Sequence, residues 1–78
     1  MQTIKVNIEK TANGYEFTTG FKAIATIRKD KNGTFWARFQ VYASANNLRT
    51  FADAMEFISD AIENHFDAFG LNVEFVNA

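Results

Sequence analysis

The fold of this chain is decided by residues 50–75, which read TFADAMEFISDAIENHFDAFGLNVEF. Thr50, with Asp53 three residues later, is a variant of a helix-capping pair, and Gly70 is a typical residue at the end of a helix. The stretch between them therefore predicts one helix. Apolar and polar residues alternate over residues 71–75, as in a strand with one buried face. The chain is thus expected to return through a helix to a closing strand.

The predicted helix has an apolar side and an acidic side. At 100° per residue, its apolar side chains fall within about 60° of one meridian, which is the arc of a core-facing helix. This arc contains Phe51, Met55, Ile58, Ile62, His65, Phe66 and Phe69. The opposite side carries five carboxylates spaced three and four residues apart. We call them the acidic stripe: Asp53, Glu56, Asp60, Glu63 and Asp67. Phe57 lies beside the stripe and outside the arc, so it is the expected apolar anchor of an interface on that side.

Three strands are predicted before the helix, because apolar and polar residues alternate there with a period of two. They cover residues 4–9, 15–28 and 35–42. Asn13-Gly14 is a favoured two-residue hairpin turn, and residues 30–33 form a second hairpin loop. Gly20 interrupts the second strand and predicts a bend or a bulge. Residues 44–48 break the alternation and are expected to be a connection.

These elements predict an α+β fold for residues 1–78 as a single compact domain. The expected architecture is a small single-layer sheet in the order β-β-β-α-β, mostly antiparallel, with one amphipathic helix packed on one face. The closing strand can pair in parallel with the first or the third strand. A right-handed crossover that covers the Phe-rich face favours the first. Odd-numbered positions of the second and third strands, such as Phe17, Phe21 and Phe39, are expected to face the helix.

Charge is divided between the two halves of the chain. Residues 1–50 carry eight basic and three acidic side chains, 8 − 3 = +5, whereas residues 51–78 carry six carboxylates and no Lys or Arg, −6. Neighbouring carboxylates of the stripe repel each other by a few tenths of a kcal/mol each. Because this repulsion destabilises the helix, the stripe indicates a partner that binds it. The alternative is that the stripe only keeps the protein dissolved.

We therefore expect a non-enzymatic small binding protein that docks a protein partner with a basic groove. The expected contact residues are those of the acidic stripe together with Phe57. A small acidic module that fills such a groove can act as an inhibitor of a target that binds nucleic acid. No stretch is apolar enough to span a membrane, and residues 1–5 lack a signal-peptide pattern. Because the chain also has no Cys, which fits a reducing compartment, the expected location is the cytoplasm.

A second candidate surface is the uncovered back of the sheet. Its expected residues are Lys22, Arg28, Trp36, Arg38, Gln40 and Tyr42. Basic residues interleaved with aromatic rings suit nucleic-acid binding, with rings stacked on bases and cations neutralising phosphates. The same face could instead form a homodimer that hides Trp36 from water, or remain an ordinary solvated face.

Residues 26–38, TIRKDKNGTFWAR, followed by residues 50–58, TFADAMEFI, resemble the hairpin and helix of the arm-type DNA-binding domains of phage integrases. The resemblance covers under half of the chain and implies DNA reading by the sheet. Those domains usually carry basic residues around and within the helix, whereas this helix has none and a further strand follows it. The family is therefore not assigned.

No catalytic, metal or cofactor pattern emerges from the sequence. His65 is the only imidazole, and it lies on the apolar arc without a second ligand at a suitable spacing. Residues 30–41 begin like a calcium loop, but the glycine stands at loop position four and the twelfth residue is Val41. The glycines are too scattered for a phosphate-binding loop. We expect no enzyme, no cofactor and no metal site.

Overall fold

The structure, a computed structural model, describes residues 2–20 and 22–77. Six strands and one helix follow in chain order: β1 (Gln2–Lys10), β2 (Gly14–Thr19), β3 (Lys22–Lys29), β4 (Phe35–Phe39), β5 (Ala43–Leu48), α1 (Phe51–Asp67) and β6 (Leu71–Asn77). The strands form one sheet in the order β5-β4-β3-β2-β1-β6, and α1 packs against it. The predicted α+β class, with a mostly antiparallel sheet and one helix, is confirmed.

The closing strand β6 pairs in parallel with β1, as expected, with Ile4 opposite Val73 and Val6 opposite Phe75. All other neighbouring strands are antiparallel. The sheet has six strands rather than four, because the predicted second strand divides into β2 and β3 and the predicted connection contains β5. The chain thus reverses twice more than predicted, and two reversals restore the original strand direction. The strand before the helix therefore still runs parallel to β1, and the crossover keeps its predicted partner.

Both additional reversals occur where the alternation of the sequence continues through a turn. Gly20 has φ 61° and reverses the chain between Thr19 and Lys22, which pair with each other. The predicted core position Phe21 lies outside the described residues. After Phe39 the chain turns again, and the backbone N–H of Tyr42 donates to the Phe39 carbonyl at 2.9 Å. The prediction of one strand through residues 35–42 is therefore wrong beyond Phe39.

Asn13-Gly14 does not form a two-residue turn, because Gly14 is the first residue of β2. Lys10 pairs with Tyr15, and the Thr11 N–H donates to the Gly14 carbonyl at 2.8 Å, which closes a longer loop. A Cβ on Gly14 would lie 1.9 Å from the carbonyl oxygen of Ile27. Close approach of two backbones, and not a left-handed φ, requires glycine at this position. The second hairpin loop, residues 30–33, lies between β3 and β4 as predicted.

The core lies between one face of the sheet and α1. One row of side chains crosses five strands on that face, since each member pairs with the next: Ile8, Phe17, Ala25, Phe39 and Ala43. The helix buries Ala54, Ile58 and Ile62 against this face. Removing such apolar surface from water is the main stabilising contribution in a domain of this size.

The predicted start of the helix at Thr50 is confirmed, whereas the helix ends at Asp67, before the predicted stop at Gly70. The Thr50 hydroxyl accepts a hydrogen bond from the Asp53 N–H at 3.1 Å, and Gly70 has φ 74° just beyond the last turn. The predicted apolar arc holds through Phe66, which packs against the core. Phe69 is 69% exposed, because α1 ends at Asp67 and the arc cannot be extended past that residue.

Candidate functional site

The acidic stripe lies on the solvent side of α1, and all five of its carboxylate residues are exposed. From the first to the last, the stripe covers about 21 Å at 1.5 Å per residue. Asp53, in the first turn, interacts favourably with the positive end of the helix dipole. Asp67, in the last turn, lies at the negative end, where a carboxylate is disfavoured. The stripe is thus a continuous exposed surface of one charge sign.

Phe57 contributes less free surface to this region than the sequence suggested. The residue is half-buried, and its side chain packs against the core. A ring that already contacts the core offers only part of its area to a partner. Phe57 is therefore an edge of the acidic surface and not a projecting anchor.

The uncovered face of the sheet combines both charge signs. Residues that pair across antiparallel strands project to the same face, so one row runs through Glu9, Glu16, Thr26, Arg38 and Ser44. Arg28 lies opposite Trp36 in the neighbouring row. The structure therefore brings Arg28, Trp36 and Arg38 together, as predicted. It also places two carboxylates on the same face, from strands β1 and β2.

The remaining three residues predicted for this face are arranged differently. The register shifts between Phe17 and Thr18, so that Thr18 pairs with Ala23 and Lys22 moves to the other side of the sheet. Gln40 is in the β4–β5 turn, where its carbonyl accepts a hydrogen bond from Arg38 Nε at 3.0 Å. The structure does not bring Tyr42 to this face. Its ring lies on the helix side of the sheet, where it contacts the rings of Phe39 and His65.

Those contacts belong to a surface that the sequence did not reveal. We call it the aromatic corner, made of Tyr42, His65 and Phe69, and Val41 precedes Tyr42 in the turn. The His65 ring lies 4.3 Å from the Tyr42 ring and 5.4 Å from the Phe69 ring, measured between centroids. Val41, Tyr42 and Phe69 are 86%, 57% and 69% exposed. The alternation of residues 35–42 concealed this corner, because it placed Val41 in the core of a strand that ends earlier.

The described residues contain no group of three or more His, Asp or Glu side chains placed to hold a metal ion. Within residues 2–20 and 22–77, no helix is long and apolar enough to cross a membrane. Comparisons with protein-family models, with curated proteins and with solved structures find no significant match for this chain. The surfaces described above are therefore interpreted from their own residues.

Proposed function

We propose that this protein is a non-enzymatic binding domain that docks a protein partner with a basic groove through its acidic stripe. The observation that carries the proposal is the exposure of all five stripe carboxylates on one side of a helix that has no Lys or Arg. Along about 21 Å of surface, no cation from the same helix screens them. A basic groove would supply the missing counter-charges.

The energetics of the free protein agree with this role. Neighbouring carboxylates on the helix repel, and Asp67 opposes the helix dipole, so the stripe lowers the stability of the isolated helix. The same charges would speed association with a basic partner and exclude acidic ones. A groove that binds nucleic acid is the natural target chemistry, because its cations are spaced to meet repeated negative charges. In that case the domain would act as an inhibitor by occupying the groove. A cytoplasmic location belongs to the same proposal and rests on composition alone.

The uncovered sheet face supports a second candidate less well. Trp36 between two arginines would favour nucleic-acid binding, but Glu9 and Glu16 share the face and would repel phosphates. The two charge signs fit a homodimer better, since the basic part of one copy can lie over the acidic part of another. Salt-dependent binding to an oligonucleotide and the mass in solution separate these two uses of the face.

The leading proposal is tested with a variant that keeps Asp53, the residue whose backbone N–H the helix cap holds. The stripe variant carries Glu56→Gln, Asp60→Asn, Glu63→Gln and Asp67→Asn. A control removes the same number of charges outside the stripe, with Glu9→Gln, Glu16→Gln, Asp30→Asn and Glu74→Gln. Partner capture from host extract, followed by the affinity for each captured protein at two salt concentrations, is compared among the three proteins.

The stripe variant is expected to lose capture of basic partners, while its stability is unchanged or raised because repulsion is relieved. The control variant is expected to retain the partners and their salt sensitivity. If the stripe variant retrieves the same partners with the same salt dependence as the unmodified protein, the stripe is only a solvated surface and the proposal fails.

A further inference from the structure

We propose that the partner adds an extended segment to the free edge of β6, as a seventh strand of the sheet. The segment borders the partner's basic groove. It alternates apolar with polar side chains, and it carries Lys or Arg at the end beside the last turns of α1. The inference rests on the proposed function, and it identifies how the basic partner is held and which end of the acidic stripe it contacts.

The strand β6 is an edge strand that can accept a further strand. It stands last in the sheet order, and among the described residues only β1 pairs with it. In a parallel pair, alternate residues direct their N–H and C=O groups to the neighbouring strand, and the residues between them direct theirs outward. Of the seven residues of β6, about three therefore present both groups to the free edge. Such a row of unpaired groups is a template for another chain.

The edge at β6 is regular, whereas the edge at β5 is not. Residues 71–77 read LNVEFVN, with no Pro or Lys, and the register with β1 continues without a shift along the whole strand. In β5, the pairing with β4 shifts between Phe35 and Ala37, and Asn47 has φ 57°. A bulge with a left-handed residue twists an edge strand away from a further strand. Of the two edges, β6 is therefore the one suited to a partner.

The edge also offers apolar surface. Leu71, Val73 and Phe75 face the helix side of the sheet, since Phe75 pairs with Val6, which is fully buried in the core. All three are only half-buried. A segment paired with β6 would cover their outer flank with every second side chain, and removal of this surface from water adds to the backbone hydrogen bonds. The occupant therefore carries apolar side chains at alternate positions.

The charge beside the start of β6 selects a basic occupant. A hollow of about 180 Å³ lies between the end of α1 and β6, and its lining includes Glu63, Asp67, Leu71 and Val73. None of the described residues that line it is basic. A Lys or Arg of the added segment would place its aliphatic stem over Leu71 and its charge at the two carboxylates. The end of the acidic stripe is thereby joined to the edge of the sheet.

The same charges argue against a second copy as the occupant. Residues 51–78, which contain α1 and β6, carry six carboxylates and no Lys or Arg. Two copies joined along β6 would bring these like charges together, and in an antiparallel pair centred on Glu74 that residue would lie opposite itself. Within one copy, Glu74 lies opposite Lys5 of β1. The charge left for a partner is therefore that of Glu63 and Asp67.

The experiment uses a random-peptide display library as the probe, and selection is carried out with the unmodified protein. Two variants then each neutralise half of the acidic stripe. The edge variant carries Glu63→Gln and Asp67→Asn, beside β6. The matched control carries Glu56→Gln and Asp60→Asn, roughly 10 Å earlier on the same helix. Near-ultraviolet circular dichroism establishes that every protein is folded, and light scattering gives its mass.

One selected peptide is synthesised in three forms: unmodified, N-methylated at its odd positions and N-methylated at its even positions. A methyl group removes the backbone donor, so only the peptide with its methyl groups on the outer side can still pair with β6. Fluorescence anisotropy gives the affinity of each peptide for each protein. Amide hydrogen exchange of the protein, with and without the unmodified peptide, is followed by nuclear magnetic resonance in β6 and, as an internal control, in β5.

The selected peptides are expected to alternate apolar residues with polar ones and to carry Lys or Arg at one end. One methylated peptide is expected to bind as the unmodified peptide does, and the other about tenfold or more weakly, since it loses about three hydrogen bonds. Exchange is expected to slow at alternate residues of β6 and to stay unchanged in β5. The edge variant is expected to bind roughly fivefold more weakly than the matched control, as for two exposed ion pairs. These results together support the proposal.

Other results overturn it in distinguishable ways. If basic peptides are selected but both methylated forms bind equally, or exchange slows nowhere in β6, no strand is added and the acidic stripe stands alone. If the matched control loses as much affinity as the edge variant, the peptide lies along the stripe and not at the edge. If the selected peptides pair with β6 but lack Lys and Arg, the proposed function fails, and with it the basic occupant. If no class of peptide is enriched, both proposals fail. A dimer of the unmodified protein with slowed exchange in β6 would identify a second copy as the occupant.

Discussion

The substitution Gly14→Ala tests the closest backbone approach in the sheet. The new Cβ would lie 1.9 Å from the Ile27 carbonyl oxygen, 2.8 Å from its carbonyl carbon and 3.0 Å from the Cα of Arg28. Each of these is a backbone atom, so no side-chain rotation can relieve the overlap. The Ile27 carbonyl would have to recede by roughly 1 Å or more to restore an ordinary contact.

That displacement acts on two stabilising features at once. Ile27 is fully buried in the core, where overpacking typically costs about 1–3 kcal/mol. The pairing of Gly14 with Arg28 would be lost as well, and each hydrogen bond removed there costs about 0.5–1.5 kcal/mol. We therefore expect a loss of about 3 kcal/mol or more. A domain of this length has a total stability of about 4–12 kcal/mol, so the variant would be close to unfolding.

Urea denaturation followed by the fluorescence of Trp36 measures the loss of stability. In a thermal scan, the Tm of the variant is expected to fall by roughly 12 °C or more. Gly33→Ala is the matched control. A Cβ at Gly33 meets no atom within 4 Å, but φ is 86°, so its cost is about 1–2 kcal/mol from the left-handed backbone alone. If Gly14→Ala costs no more than Gly33→Ala, Gly14 is an ordinary turn glycine. The described register of β2 with β3 would then be wrong.

Three further substitutions or measurements examine other parts of the structure. Ile62→Ala should lower the free energy of unfolding by about 2–5 kcal/mol, because Ile62 is fully buried. The control Phe69→Ala should change it by less than about 0.5 kcal/mol, and equal losses would mean that α1 is rotated differently about its axis. Gln40→Gly should raise the free energy of unfolding by about 0.5–1 kcal/mol, since it relieves the strained φ, and Gln40→Ala should not; a loss of stability with glycine would argue against the left-handed turn. Acrylamide should quench the half-exposed Trp36 efficiently, and a blue-shifted, protected emission in a verified monomer would place its ring in the core.

Local signals were sufficient where one residue acts on its own neighbours. The Thr50 hydroxyl accepts from the backbone N–H three residues on, so the start of the helix could be read from the sequence. Gly70 adopts a left-handed conformation that other residues rarely adopt, and it marked the end of the helix to within three residues. Ile58 and Ile62 follow the helical period and are fully buried, as the period predicts. The parallel pairing of β6 with β1 was also predictable. Its direction depends on an odd number of strands before the helix, a property that the two missed reversals leave unchanged, and the choice of β1 follows from a right-handed crossover that covers the Phe-rich face.

The positions of those reversals depend on pairing between distant strands. Val41 and Tyr42 favour β structure and continue the alternation, so nothing local marks a turn there. The chain reverses because residues 43–48 can pair with β4, and this pairing outweighs the strain at Gln40. At Gly14 the sequence favoured a turn, whereas the approach of the Ile27 carbonyl decides the need for glycine. Such contacts join residues far apart in the chain and have no signal in either segment alone.

The candidate surfaces divide in the same way. The acidic stripe was predictable, because residues three and four apart on a helix share a face whatever the helix packs against. The aromatic corner was not, because it joins a turn after β4 to the last turn of α1 and the residues beyond it. Likewise, only the register places Glu9 and Glu16 on the same face of the sheet as Arg38. Sequence alone determined the helix, its charge and the closing strand, whereas tertiary pairing decided the number of strands and which exposed side chains meet, since both depend on contacts between separate elements.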